Sequence, residues 1–355
     1  MKVVYSLRHR AHHPEREFEE SDFHEPHEHP GRAEMIRAAL AADSQFEFVA
    51  PDDHGRAPIE AVHDRGLVDF LESAWLRFQE AFGPTRDVVP DVFFNPALRT
   101  GMGDARRPTT IGAEMGWWCF ETTTPLTHGT YDAARSSVDV ALTAGAHVLA
   151  GERVAYGLCR PPGHHAAHSV YGGYCFFNNA AITADYLVRE TGSKVAVLDV
   201  DYHHGNGTQQ IFYDRADVPF VSLHGDPRRA YPYHAGYADE TGTGAGLGAT
   251  LNLPLAARTD DDQYVAALER AVASITASGA EMIVVSLGLD TFHLDPISDL
   301  ALTADGLERC GALVASSGLP LVILQEGGYA ADALGDNARR WLIGAASGAG
   351  VAPSA

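Results

Sequence analysis

Cysteine does little in this sequence. The chain has four, Cys119, Cys159, Cys175 and Cys310, scattered with no CxxC or other paired spacing. That usage indicates neither a disulfide framework nor a cysteine metal site. Basic charge is also short: 26 Lys and Arg stand against 47 Asp and Glu, for a formal net charge of −21. A surface of that sign serves solubility, repels nucleic acid and attracts cationic ligands. No apolar run approaches the ~18 residues of a membrane span. The opening Met1-Lys-Val-Val-Tyr5 has no signal-peptide apolar region. A cytoplasmic protein without membrane or nucleic-acid partners is expected. Internal repeats, low-complexity tracts and linker-like breaks are lacking too.

What remains is ample for a core: 355 residues, 45% of them hydrophobic. Strand and helix signals alternate along the chain, which predicts one large α/β domain over residues 1–355. Strands are expected at Lys2–Ser6, Phe46–Val49, Arg153–Cys159, Val195–Leu198, Val218–His224, Glu281–Asp290 and Pro320–Tyr329. Helices are expected at Pro30–Leu40, Gly66–Gln79, Tyr131–Ala150, Ala180–Arg189, Asp261–Ser278, Leu302–Ser317 and Gly335–Ala345. The histidine-rich tract His9–Pro30 invites a metal reading, but its irregular spacing favours a polar surface loop, and Gly225–Gly248 reads as a long glycine-rich loop. A further loop-like stretch, about 84–125, is long enough to be functional or an interaction element.

The centre of the chain is Val195 to Gly207. A buried β-branched run turns abruptly polar, and Asp199, Asp201 and His203 fall at i, i+2 and i+4. An extended chain points all three to one face. Acids and a histidine at the end of a buried strand are costly unless something binds them, and a divalent metal suits those donors. A polar loop at a strand end is the plain alternative. Three more predicted strands end in chemistry: one at His164 and His165, one at Asp290 and one at Tyr329. In open parallel sheets, ligands bind outside the carboxyl ends of the strands. The repetition of reactive residues at that position is the strongest functional signal in the sequence.

Arg160-Pro-Pro-Gly-His-His-Ala166, Asp199-Val-Asp-Tyr-His203, Gly288-Leu-Asp290 and Glu326-Gly-Gly-Tyr329 together resemble the signature set of the histone deacetylase family. Within it, the stretch Asp199–Gly207 and the long segment Pro84–Pro125 resemble the bacterial acetylpolyamine amidohydrolases. The resemblance runs from about Lys2 to about Ile343. It implies the arginase–deacetylase-like fold, a central mostly parallel β-sheet with helices on both faces. It also implies one catalytic Zn2+ on Asp201, His203 and Asp290. His165 would be the general base and acid, with His164 its electrostatic partner. Tyr329 would donate a hydrogen bond to the scissile carbonyl. Asp199, Ser222 and Leu223, with Asp201 and His203, match a structural K+ site. Asp199 also matches the acid that orients His164, while Asn206 stands where an acid often orients the second histidine. A neutral amide there would leave His165 less basic.

For substrate binding, the resemblance implies Tyr174 and Tyr231 as aromatic channel walls, with Gly173 beside them. Glu121 is the first candidate for an acid that reads a distal ammonium group, with Glu114 and Asp104 in reserve. The expected partner is a small cationic acetylated amine. A homodimer is expected through the long loop, which carries Phe93, Phe94, Trp117 and Trp118. Three other readings remain open. A dinuclear manganese hydrolase of the arginase type would need acids where Gly205 and Gly288 stand. A protein acetyl-lysine deacetylase would use the same catalytic set. A non-enzymatic binding module would not need every reactive position filled.

Overall fold

Ten short strands organise the described residues: β1 (Lys2–Val4), β2 (Glu17–Glu19), β3 (Asp22–His24), β4 (Glu47–Val49), β5 (Val154–Gly157), β6 (Val195–Asp199), β7 (Phe220–Gly225), β8 (Thr250–Leu255), β9 (Met282–Leu287) and β10 (Leu321–Gln325). The structure is a computed structural model and describes residues 1–19 and 21–350, so Glu20 and residues 351–355 of the expected domain lie outside the described residues. Eight strands form one sheet in the order β4-β1-β5-β10-β9-β6-β7-β8. Every pairing in it is parallel. Strands β2 and β3 make a separate antiparallel hairpin.

Side chains alternate across a strand, and here they alternate between two cores. Ala196 and Leu198 of β6 face one core while Val195 and Val197 face the other. Ile283 and Val285 oppose Val284 in β9 in the same way. Helices α1 (Gly31–Ala41) and α2 (Ala57–Val62) lead to α3 (Arg65–Phe82), α4 (Ile111–Trp118), α5 (Thr130–Leu149), α6 (Asn179–Thr191), α7 (Asn206–Phe212), α8 (Asp261–Ser278), α9 (Ala304–Ala315) and α10 (Ala331–Gly348). Leu268 of α8, Val314 of α9 and Trp341 of α10 fill the first core; Leu71 of α3, Val138 of α5 and Ile182 of α6 fill the second. Burial on both faces explains why the central strands are continuous apolar runs. Among the described residues no helix is long and apolar enough to cross a membrane.

Several elements differ from the sequence expectation, among them helix α4, which lies within the 84–125 stretch read as loop. Strand β8 sits at the sheet edge and contains Pro254, which is tolerated there and hides the strand from a reading by propensity. Helix α7 starts at Asn206 and includes Gly207, a poor helix former, in its first turn. Helix α2 is only one and a half turns long and carries Pro58 near its start. The tract His9–Pro30 is not all surface loop: His9 and His12 are each 3% exposed, and the tract holds the β2–β3 hairpin.

The long segment 84–125 is pinned rather than loose. Val88 pairs with Leu126, and Phe94 N donates to Gly116 O at 2.7 Å. A Cβ at Gly116 would stand 1.7 Å from the Val92 carbonyl oxygen, so only glycine permits this crossing. Phe94 stacks on Trp117 at 4.6 Å between ring centroids. Trp118, expected to be exposed with them, is instead 3% exposed and lies in the second core against Phe70.

Candidate active site

All eight strands run in one direction, so their carboxyl ends share one edge of the sheet. After β5 the chain turns through Arg160-Pro-Pro-Gly to His164 and His165. Glu326, just past β10, accepts the Gly163 and His164 N–H groups on Oε2 at 2.6 and 3.2 Å. Gly207 N and Thr208 N, from the start of α7, donate to His164 O at 3.1 and 3.2 Å. The histidine loop is therefore held from two sides.

Beyond β6 and β9 lie Asp201, His203 and Asp290. One donor atom from each falls within 4.8 Å of the others. His203 Nδ1 is 3.1 Å from Asp290 Oδ2 and 3.3 Å from Asp201 Oδ1. Both carboxylates are fully buried. Burial and the charge of Asp201 push the Asp290 carboxyl up to about 7. Two glycines let the acids close on each other. A Cβ at Gly288 would stand 2.2 Å from Asp201 Oδ2, and one at Gly327 would stand 2.4 Å from Asp290 Oδ2. Two buried carboxylates and an imidazole at this spacing fit a zinc-like divalent ion. Strand β6 ends at Asp199, so the three polar residues do not line one extended face as the i, i+2, i+4 spacing suggested. Asp199 turns away to His164.

The two histidines are differently placed. His164 Nδ1 lies 3.0 Å from Asp199 Oδ2, and Nε2 lies 3.8 Å from Asp201 Oδ1. Burial alone would lower it, but the charges of Asp199 and Asp201 raise it to about 10. His165 Nδ1 lies 2.7 Å from Asn206 Oδ1. Burial and the positive charges of His164 and His203 hold it well below its ordinary value. Their ring centroids are only 4.0 Å apart. The two imidazoles are thus pushed in opposite directions, His164 toward its charged form and His165 toward its neutral one, the division that acid–base work requires.

A cavity of about 170 Å³ opens above these groups, lined by His164, His165, His203, Tyr174, Tyr231 and Tyr329 among others. Tyr231 packs edge-on to His165 at 4.9 Å, and Tyr174 faces Tyr329 at 6.0 Å. Gly173 has φ +59°, and a Cβ there would stand 2.4 Å from His165 Cδ2. Burial raises the Tyr329 phenol well above its ordinary value and keeps the proton on it, against the opposing charge of Arg32. The Arg32 guanidinium sits 4.5 Å over that ring and donates to Gly328 O and Glu326 O at 2.7 and 2.9 Å. Asp295 Oδ2 accepts the Tyr329 N–H at 2.7 Å. Neither Arg32 nor Asp295 carried a sequence signal, because each meets its partner from a distant part of the chain.

The three candidate gatekeeping acids lie elsewhere. Glu121 does not line the cavity. Its carboxylate accepts from Thr123 N, from Thr123 Oγ1 at 2.5 Å, from Thr124 Oγ1 and from Gly173 N at 2.9 Å. Glu114 is buried and paired with Arg77 at 2.5 Å. Asp104 borders a separate cavity under the long loop. The acid that does line the channel is Glu19 of β2. For the expected potassium residues, Asp199 and Ser222 are register partners across β6 and β7, and Leu223 follows. Ser222 Oγ is also 2.8 Å from His224 Nδ1.

Paired imidazoles and ligand-type donors gathered at the carboxyl ends of a parallel sheet are the groups a hydrolase site needs. The family is fixed by comparison with known proteins. A model of the histone deacetylase domain matches residues 26–344, and the chain belongs to that family of amidohydrolases. Acetylpolyamine amidohydrolase 1 of Pseudomonas aeruginosa is 45% identical over 344 residues, which cover 97% of this chain and 98% of that one. The acetylpolyamine amidohydrolase of Mycoplana ramosa is 44% identical over 346 residues, covering 98% and 100%. The crystal structure of an acetylpolyamine aminohydrolase from Burkholderia pseudomallei superposes with a TM-score of 0.91 at 37% identity, over 98% of this chain and 99% of that one.

Proposed function

We propose that this enzyme removes the acetyl group from acetylated polyamines or diamines, releasing acetate and the free amine. The observation that carries the reading is the Asp201–His203–Asp290 cluster beside His165, at the base of a channel lined by Glu19. Support also comes from relatives named for that activity that match nearly end to end.

Asp201, His203 and Asp290 would hold one zinc ion. That ion, when bound, supplies Lewis-acid polarisation of the amide carbonyl and acidification of the attacking water. The neutral His165 accepts the proton of that water and later gives it to the leaving nitrogen. His164, charged against Asp199, stabilises the negative charge that develops. The Tyr329 hydroxyl, protonated and held by the loop that Arg32 ties down, donates to the developing oxyanion. Tyr174 and Tyr231 flank the slender alkyl chain of the amine, and Glu19 faces its cationic end. Asp199, Ser222 and Leu223, with Asp201 and His203, form the proposed K+ site below, since oxygen donors suit a hard cation. We place the enzyme in the cytoplasm as a homodimer joined through the 84–125 loop.

Metal-defined enzyme assayed in parallel on acetylputrescine and on an acetyl-lysine peptide tests the reading. A higher kcat/KM on the diamine is expected. A higher value on the peptide would make this a protein deacetylase instead.

A further inference from the structure

The β2–β3 hairpin brings a second set of ligand-type side chains together, away from Asp201, His203 and Asp290. A carboxylate oxygen of Glu17, one of Glu19 and a ring nitrogen of His27 all lie within 4.8 Å of one another. Glu17 is 1% exposed and its Oε2 has no hydrogen-bond partner. A buried carboxylate oxygen left unpaired is costly. Its other contacts are a long bond from the His27 N–H at 3.4 Å and the Tyr174 hydroxyl, which also reaches the carboxylate. No lysine or arginine among the described residues pairs with Glu17 or Glu19.

We propose that Glu17, Glu19 and His27 form a second divalent-cation site, of the zinc, cobalt or nickel kind, at the mouth of the channel. The donor set repeats that of the deeper cluster: two carboxylates and one imidazole. Burial pushes the Glu17 carboxyl up to about 7 and lowers His27. A neutral imidazole is a metal ligand, and a displaced proton leaves Glu17 free to bind. An alkylammonium group would gain less from that imidazole than a metal would, and a hard ion such as Mg2+ would prefer oxygen and water to a ring nitrogen. The position gives the site a consequence. Glu19 lines the catalytic channel, and the His27 ring meets Tyr329 edge-on at 6.2 Å between centroids. A metal ion there removes the negative charge of the rim. It therefore competes with a cationic substrate and spares a neutral one. That kinetic part rests on the proposed substrate class; the binding part does not.

The test is a metal count on holoenzyme that already carries its catalytic ion. Equilibrium dialysis against excess Zn2+, followed by elemental analysis, should give a second ion per chain. His27→Gln and Glu17→Gln should each lose that ion and keep the first, with an unchanged far-ultraviolet circular dichroism spectrum. Wild-type enzyme that takes up no second ion would overturn the site. So would a second ion retained by both variants, which would place it on another histidine of the tract. Saturating Zn2+ should raise the apparent KM for acetylputrescine several-fold in wild type and not in His27→Gln. A neutral acetamide should show no rise. Inhibition of both substrates alike would remove the rim from the explanation and leave the metal count to stand or fall alone.

Discussion

His165 Nδ1 stands 2.7 Å from the side-chain oxygen of Asn206, while His164 Nδ1 stands 3.0 Å from the carboxylate of Asp199. Two adjacent imidazoles thus hydrogen-bond to acceptors of different charge. Asn206→Asp would put a carboxylate behind His165 and favour its charged form. A base must be neutral to act, so its raised pKa moves the acidic limb of the kcat/KM profile to higher pH. The variant should be less active than wild type on the acid side and recover as pH rises. A pH–rate profile that superposes on wild type would show that His165 is not the group titrating in that limb.

Loss of metal and loss of proton transfer separate cleanly. Asp290→Ala removes a donor from the buried trio, and it should lose both bound metal and activity. His165→Ala should keep the metal and lower kcat by ~10²–10⁴ with little change in substrate binding. Tyr329→Phe deletes one hydroxyl donor, an effect of about 10²–10³ in kcat, again with metal in place. Metal analysis beside steady-state kinetics reads all three. Stoichiometric metal in Asp290→Ala would reassign the ligands.

The proposed assembly through the long loop would use a specific surface. Val92, Leu98 and Met102 are 67%, 76% and 67% exposed, and they surround one cavity of that segment. Apolar groups exposed together mark an interface. Leu98→Asp combined with Met102→Asp should convert a dimer to monomers by light scattering. A dimer that survives both charges would place the contact elsewhere.

The residues that were legible in the sequence are those whose chemistry is written in a few adjacent positions at a strand end: Asp201 with His203, His164 with His165, and Tyr329 after two glycines. The second layer was not legible. Arg32 reaches Gly328 O from 296 positions away, and Asp295 meets the Tyr329 N–H across 34. Such pairings leave no local pattern. The placement of Glu121 had a signal that was available: three threonines follow it directly, and Thr123 and Thr124 supply local donors to its carboxylate. Glu19 lay inside a tract read as surface loop, and only the pairing of β2 with β3 brings it to the channel.

That exchange of roles between Glu19 and Glu121 yields the sharpest prediction for substrate choice. Glu19 is exposed and faces the channel, so its charge is free to meet a distal ammonium. Partly exposed pairs of this kind are worth ~0.2–1 kcal/mol. Glu19→Gln should therefore raise KM for an acetylated diamine by up to several-fold, weaken its salt dependence and leave a neutral acetamide unchanged. Glu121 instead uses its oxygens on Thr123, Thr124 and Gly173, and Gly173 lies directly against the His165 ring. Glu121→Gln leaves one oxygen to accept where two did, and its new NH₂ faces donors. The loop beside His165 should loosen, and charged and neutral substrates should both lose kcat by the same factor. Assaying both variants on both substrates reads the difference directly. A selective effect on the diamine in Glu121→Gln, with none in Glu19→Gln, would return the gatekeeping role to the loop after Trp118.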